Sequence, residues 1–289
     1  MQALFQALLG GLILGLIYIA IAVGLTIIFG TLRLVNFAHG AFYAIGAYVG
    51  LVAAQRMGVA WAFVAAPIAV ALFALLLDRL VLRSFYDKPA TAQLLVTFGI
   101  ALVIEESLRL IFGATTQQYA MPESLQGSVT LGPITYPAYR LLFAGGVIVM
   151  LALVWFFIER TNYGLTVRAG VRDRIMVQLL GGNVRQASTI VFVLGAATAG
   201  LVGAAATPIY SIDPATGFFF LVPSFVVVVV GGLGSFWGAV LGGILIGELQ
   251  SVTNLVYAPA SQVVIYLCMA LVLLLRPQGL LGESEVIRQ

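Results

Sequence analysis

Two chemically versatile residue types are almost missing from this chain: Cys268 is its one cysteine and His39 its one histidine. A single cysteine excludes an internal disulfide and any multi-cysteine metal cluster, and a single imidazole leaves a zinc site without its usual second histidine. Charge is also scarce. Asp, Glu, Lys and Arg make up 9% of the 289 residues, against about 25% in a soluble domain, so the chain cannot present a wet surface all round. No Walker A loop, nucleophile elbow, metalloprotease helix or dinucleotide fingerprint occurs. Hydrolytic and redox chemistry therefore have no visible apparatus, and the expectation is a protein that is not itself an enzyme.

What is present is apolar. Hydrophobic residues reach 62%, mean hydropathy is +1.10, and apolar runs of about 20 residues, the length that crosses a bilayer as a helix, recur throughout. The fold class is an all-α, polytopic transmembrane bundle forming one domain over residues 1–289. Candidate spans are Leu8–Phe29, Gly40–Ala54, Trp61–Leu77, Thr91–Phe112, Leu141–Ile158, Ser188–Pro208, Phe218–Val230, Trp237–Thr253 and Ser261–Leu275. Gly40–Ala54 and Phe218–Val230 are short for a full crossing, which brackets the number at eight to ten. The N-terminal run lacks a basic flank and a small-residue cleavage site, so it reads as the first span. The net charge of +3 comes from loop arginines and follows the positive-inside bias, not nucleic-acid binding. Arg79, Arg83 and Lys88, the 159–187 segment and the tail after Arg276 are basic and belong inside. Residues 113–139 carry only Glu123 and belong outside. An odd number of spans then puts the N-terminus outside and the C-terminus inside.

The 159–187 segment is a polar island between two spans, with Arg160, Arg168, Arg172, Arg174 and Arg185. Within it Leu165, Val167, Val171, Ile175, Met176, Leu179 and Leu180 recur at roughly helical spacing, which predicts an amphipathic helix with one apolar and one charged face. Such a helix suits docking at the membrane surface.

A few polar groups interrupt the apolar stretches. Asn36 and His39, after Arg33, sit at a break between two runs, where they can cap helix ends or line a path, since polar groups at membrane depth usually face a cavity. Glu105 and Arg109 are spaced i,i+4, so an ion pair would offset part of their insertion cost. With Glu106 they lie toward the outer end of their span, where they can snorkel or meet an ammonium. Asp213, among Pro208, Pro214 and Gly217, has the composition of a turn, and Glu248 is a further polar group within an apolar run. Glycines 10, 11 and 15, and 195, 200 and 203, mark close-packing faces. Two other glycine-rich stretches, Asn36–Tyr48 and Val229–Gly243, break hydrophobic runs near opposite ends of the chain. Paired breaks of this kind occur in transporters built from inverted repeats, although no residue-by-residue repeat is evident.

Taken in order, GLTIIFGTLRLVNFAHGAFYAIGAY, LLVTFGIALVIEE, YGLTVRAGVRD…VQLLGGNV and VVVVVGGLGSFWGAVLGGILIG resemble the branched-chain amino acid ABC-transporter permease family, over about residues 8–282. The chain looks like the smaller of that family's two permease types. The resemblance implies a bacterial inner-membrane importer. In it a second homologous permease completes the pathway, two cytoplasmic ATPases bind ATP and Mg, and an extracytoplasmic binding protein delivers solute. It also implies that residues 159–187 are the cytoplasmic coupling loop. Gly164, Arg168, Ala169, Arg172, Asp173, Leu180 and Gly181 would meet the ATPase there, with Arg168, Arg172 and Arg174 facing carboxylates at the rim of its groove. Asn36, His39, Gly40, Tyr43, Thr97, Glu105 and Glu106 become candidates for the pathway or its gate. Gly231, Gly232, Gly234, Gly242 and Gly243 become candidate hinges. Glu105 and Glu106 replace residues that are often apolar or amide in leucine importers, a departure that bears on the choice of solute among branched-chain, other amino acids, amides, urea and aromatic acids. Two other classes stay open on the residues alone. An ion-coupled secondary transporter would need buried acid or histidine relays drawn from His39, Glu105, Glu106 and Glu248, and a membrane-embedded enzyme would need a nucleophile or metal constellation.

Overall fold

The structure, a computed structural model, describes residues 2–282 apart from 33–35, 87, 132–133 and 173. Its helices are α1 (Gln2–Leu32), α2 (Ala38–Met57), α3 (Val59–Leu80), α4 (Ala90–Phe112), α5 (Ala138–Arg160), α6 (Asn162–Arg172), α7 (Arg174–Leu179), α8 (Val184–Ala206), α9 (Thr216–Gly231), α10 (Phe236–Val256) and α11 (Val263–Leu275). A small antiparallel hairpin, β1 (Ser128–Leu131) with β2 (Ile134–Pro137), decorates the α4–α5 connection. Five helices, α1, α3, α5, α8 and α10, are long and apolar enough to cross a membrane, and α9 and α11 are shorter apolar helices. With α2 and α4, each of the nine expected apolar segments contains a helix, and the chain is an all-α polytopic membrane bundle.

Helix α1 is apolar on every side and accordingly sits in the middle. Almost every side chain from Ile13 to Ile28 is buried, and its neighbours are α8, α9 and α10. Glycine makes these approaches close, as expected for spans that associate by packing instead of hydrophobic drive. A Cβ on Gly15 would lie 2.7 Å from the Gly243 carbonyl of α10, and one on Gly195 of α8 would lie 3.2 Å from Gly24 of α1.

The direction of each helix follows from its contacts. The 113–139 connection is held to the C-terminal end of α8. Gln117 bridges Ile212 through backbone hydrogen bonds, Tyr119 donates to the Ala204 carbonyl at 2.8 Å, and Tyr139 to that of Ala205 at 2.6 Å. Tyr18, at the middle of α1, lies beside Phe220 and near Tyr210 just past α8. The far end of α1 reaches Gly234, where the C-terminal segment also returns, with Leu280 and Leu281 donating to the carbonyls of Val230 and Gly231. The start of α1 and the 113–139 connection thus share one end of the bundle; α6, α7 and the tail share the other. This is the arrangement read from the arginine and lysine distribution.

One expectation about length is corrected. The segment expected as short, Gly40–Ala54, is a helix of 20 residues, about 30 Å long at 1.5 Å per residue. It does not cross from one end to the other, however. Its first turn lies beside the midpoint of α8, because His39 is the side chain that a Cβ on Gly24 would strike, next to the Gly195 carbonyl. The second short segment is short in fact: α9 has 16 residues. It too begins at mid-depth, with Gly217 against Gly40, and runs the opposite way, to the turn after Gly231. The two halves mirror each other. A long helix (α1 or α8) is followed by a return to mid-depth and a partial helix (α2 or α9), and α1 packs along α10 as α8 packs along α3. This is an inverted arrangement, but the counterpart of the break at Asn36–Tyr48 is the start of α9 at Gly217, and the expected partner, Val229–Gly243, forms the α9–α10 turn instead.

Candidate functional site

The first candidate region is the mid-depth junction where the N-termini of α2 and α9 abut. A Cβ at Gly40 would overlap the Gly217 carbonyl, and one at Gly217 would fall 2.7 Å from the Gly40 carbonyl, so only glycine lets the two backbones meet. Asn36 starts α2 by accepting the Ala38 amide on its Oδ1 at 3.0 Å, while its carbonyl takes the His39 amide at 3.3 Å. This side-chain bond satisfies one of the amides that every helix start leaves open. The remaining hydrogens, on Nδ2, have no partner among the described residues although Asn36 is only 1% exposed. His39 is fully buried, edge-on to Phe42 at 5.9 Å, with the Ile21 backbone beside it, and neither ring nitrogen makes a well-formed hydrogen bond among the described residues. Tyr43, one turn further, packs its ring 5.0 Å from Phe220 of α9. Thr97 of α4 accepts the Phe37 amide at 3.3 Å and donates to Gln93 at 3.0 Å, tying α4 to the start of α2. Asn36, His39, Gly40, Tyr43 and Thr97 therefore converge on one junction.

The two glutamates separate from that junction. Arg109 binds Glu105 at 3.0 Å and Glu106 at 2.8 Å, so the expected i,i+4 pair exists and gains an i,i+3 partner. Glu106 faces outward. Glu105 borders a narrow crevice with Ala41, Ala101, Pro214, Gly217 and Phe218. A second, larger cavity lies further along α9, lined by Leu25, Asn36, Phe37, Leu221, Val222 and Phe225. Phe37 and Leu221 line both spaces and so form the partition between them.

The second candidate region is the polar island. It is helical over α6 and α7, on either side of residue 173. Asp173 falls outside the described residues, and the side chains of Arg172, Arg174 and Val171 are likewise not described. Helix α6 is anchored. Val167 is buried, Gly170 abuts Val184 of α8, and Gly164 rides so close on the end of α5 that a Cβ would overlap the Ile158 carbonyl. Ala169, on α6, is half-buried. Arg168 does not extend outward as expected of a rim residue; it pairs with Glu159 at the end of α5 and also reaches the Glu159 carbonyl at 3.2 Å. The most open apolar surface is on α7 and its end: Ile175, Leu179 and Leu180 are 71%, 77% and 81% exposed. Gly181 turns the chain there with φ +82°, a conformation that favours glycine, and the Gly182 amide closes the turn on Val177 at 2.8 Å.

The candidate hinge glycines divide. Gly232 and Gly234 make the α9–α10 turn with φ +106° and +85°. Gly231 and Gly242 sit on either side of that turn, against Gly238 and Val227 respectively, and Gly243 meets Ile19 of α1. These contacts are tight packing positions flanking a turn. Asp213 has the turn role expected, its Oδ1 accepting the Ala215 amide at 2.8 Å. Glu248 packs against Gly11 at the α1–α10 contact.

One polar cluster was missed. Asp78, in the last turn of α3, is fully buried; it accepts the Tyr86 hydroxyl and the Thr189 hydroxyl of α8, the latter at 2.7 Å. Burial, and next the Asp78 carboxylate itself, push the Tyr86 phenol well above its ordinary pKa. Tyr86 therefore stays a donor, and the first basic loop is fastened to the helix that rises from α7. The signal was available: LLLDRLVLR places an acid inside the end of an apolar helix, where an unpaired charge is costly.

Comparison with known proteins gives the family of the chain. Residues 7–273 match the family model of the branched-chain amino acid transport system permease component. The chain is 31% identical to the high-affinity branched-chain amino acid transport system permease protein BraD of Pseudomonas aeruginosa, over 97% of this chain and 96% of that protein. It is 29% identical to the permease protein LivH of Escherichia coli K12, over 97% and 96%. It is 26% identical to LivM of the same organism, over 94% of this chain and 69% of LivM.

Proposed function

This chain belongs to the family of branched-chain amino acid transport system permease components, and from that premise we propose that it works as one half of the pathway of an ATP-driven importer. It is a permease subunit, an integral membrane protein. The other half is a second homologous permease of the LivM kind. Likeness to both LivH and LivM supports pairing between related subunits, and the family also supports branched-chain amino acids or close analogues as cargo. Two cytoplasmic ATPases bind ATP and Mg, a binding protein on the outer face brings the solute, and the assembly resides in the cytoplasmic membrane.

The observation that carries the reading is the exposed Ile175–Leu179–Leu180 surface at the end of the bundle that also carries the basic loops. Apolar side chains on an aqueous face call for a protein partner, and α6 is fixed rigidly enough to α5 and α8 to transmit what that partner does. When ATP closes the ATPase pair, α6 and α7 move as a body and carry α8 with them. Asp78 extends the connection to α3. At mid-depth α8 touches α1 and the start of α2 through Gly195 and Gly24, so the movement arrives at the α2–α9 junction.

Reconstitution tests this. Proteoliposomes holding this chain, the second permease and both ATPases are expected to accumulate radiolabelled leucine only with ATP inside and binding protein outside. Uptake by the permeases alone, driven by a proton or sodium gradient, would overturn the reading in favour of a secondary transporter.

A further inference from the structure

We infer that the connection between α3 and α4 is a second transmission route to the mid-depth junction: it carries the movement of α8 to the start of α2 through hydrogen bonds, with Gln93 as its positioning residue. The inference rests on the permease reading above and adds to it the residues, outside α8, that hold the junction to the coupling end.

The route can be followed bond by bond. At the inner end of the bundle Thr189 of α8 donates to Asp78 Oδ2 of α3 at 2.7 Å, and the Tyr86 hydroxyl donates to Asp78 Oδ1. Tyr86 follows a short 3₁₀ turn, Leu82–Phe85, whose last carbonyls have no helix to continue into. Gln93, in the first turn of α4, serves them. Its Nε2 lies 3.1 Å from the Phe85 carbonyl, 3.2 Å from that of Tyr86 and 3.0 Å from that of Lys88. One turn further along α4, Thr97 donates to the Gln93 carbonyl at 3.0 Å and accepts the Phe37 amide at 3.3 Å. Phe37 immediately precedes α2. Thr189, Asp78, Tyr86, Gln93, Thr97 and Phe37 therefore form one continuous chain from the first turns of α8 to the start of α2.

Two properties make this chain a transmission element. Its side chains are dry: Asp78 and Thr97 are fully buried, and Gln93 and Thr189 are each 7% exposed. A buried donor or acceptor that loses its partner finds no water to replace it, so displacement of one element is passed to the next. Its ends also coincide with the two regions described above. One end is on α8, which α6 holds where Gly170 abuts Val184; the other is at the junction, where α8 and α1 already meet His39 through Gly195 and Gly24. The start of α2 is thus gripped at Phe37 from α4 and at His39 from α1 and α8. Coupling between distant sites travels through contiguous networks of this kind.

The test uses the complete transporter in proteoliposomes and counts solute molecules imported per ATP hydrolysed, with thermal unfolding of the same samples. Gln93→Met and Thr189→Val each remove one link at similar volume. Each is expected to lower the count about fivefold, the lower end of the range for coupling between distant sites, while ATPase co-purification stays at the wild-type level because α7 is untouched. The double variant is expected to be no worse than either single one, since either break interrupts the same chain. Thr189→Ser, which keeps the hydroxyl, is expected to restore the count, and Tyr86→Phe, which removes a single oxygen, to lower it as the other two do. A count at the wild-type value in Gln93→Met and Thr189→Val, even with a lower unfolding midpoint, would make these bonds structural only and overturn the inference. Additive losses would overturn it too, because the two residues would then act separately. Absence of ATP-driven import by the wild-type complex would instead remove the permease reading.

Discussion

The α2–α9 junction and the α6–α7 segment invert the usual distribution of residues in opposite senses. At the junction, polar side chains are buried in the driest part of the protein: Asn36 and His39 are within 1% of full burial. At α7, large apolar side chains stand on the end of the bundle that carries the basic loops. Neither arrangement is favourable for an isolated subunit, since a buried amide without a partner costs roughly 1–3 kcal/mol and an exposed leucine forgoes roughly 1.5–3 kcal/mol of burial. On the proposed function, both costs are recovered by partners outside the chain. The junction lacks a small polar partner and the segment lacks a large apolar one, which fits a solute in one place and a protein in the other.

The largest effect expected is at the junction. Gly40→Leu drives a side chain into the Gly217 backbone, which cannot rotate away, and should cost about 3 kcal/mol, the upper part of the range for overpacked cores. Thermal unfolding of the detergent-purified permease pair should show a much lower midpoint and poor yield. Normal stability in this variant would mean that α2 and α9 are not in contact, and the mid-depth arrangement would be wrong.

At the other region the expected effect falls on binding and not on folding. Leu179→Asp or Leu180→Asp should weaken ATPase association about ten- to a hundredfold, the equivalent of losing one buried leucine, while unfolding shifts by no more than about 0.5 kcal/mol, as for an ordinary exposed position. Co-purification of the ATPases and the thermal midpoint, measured on the same sample, separate the two. A variant that unfolds but still binds would make α7 part of the core and erase the contrast between the regions.

The two regions also differ in how much of them could be read in advance. Residues 159–187 were legible because amphipathicity is local: spacing within one helix already tells which side chains share a face, and Leu179 and Leu180 are where that spacing puts them. At the junction, the break near Asn36 and the short second segment could be read, but the meeting of Gly40 with Gly217 joins residues 177 positions apart. No local pattern encodes such a pairing. Nor does any local pattern join Asp78 to its partner Thr189, 111 positions away. Composition and periodicity gave the helices and their directions; long-range contacts decided which of their residues form a site.

The smallest expected effect concerns Arg168, where the structure and the sequence-based expectation differ. On its own helix Arg168 looks like a rim residue awaiting a carboxylate from the ATPase. In the fold it has one from its own chain, Glu159, with both side chains around two-fifths exposed at 37% and 43%. A pair this accessible is worth about 0.2–1 kcal/mol, so its role is to seat α6 against α5. Arg168→Gln and Glu159→Gln should then cause the same small loss of transport-coupled ATP hydrolysis, and the double variant should be no worse than either single one, because each removes the same interaction. Were the arginine bound to the ATPase instead, Arg168→Gln alone would uncouple transport and Glu159→Gln would leave it intact. That asymmetry would move the boundary between the anchored helix and the docking surface one turn toward α5. Equal, non-additive losses keep it at α7, where the exposed leucines are.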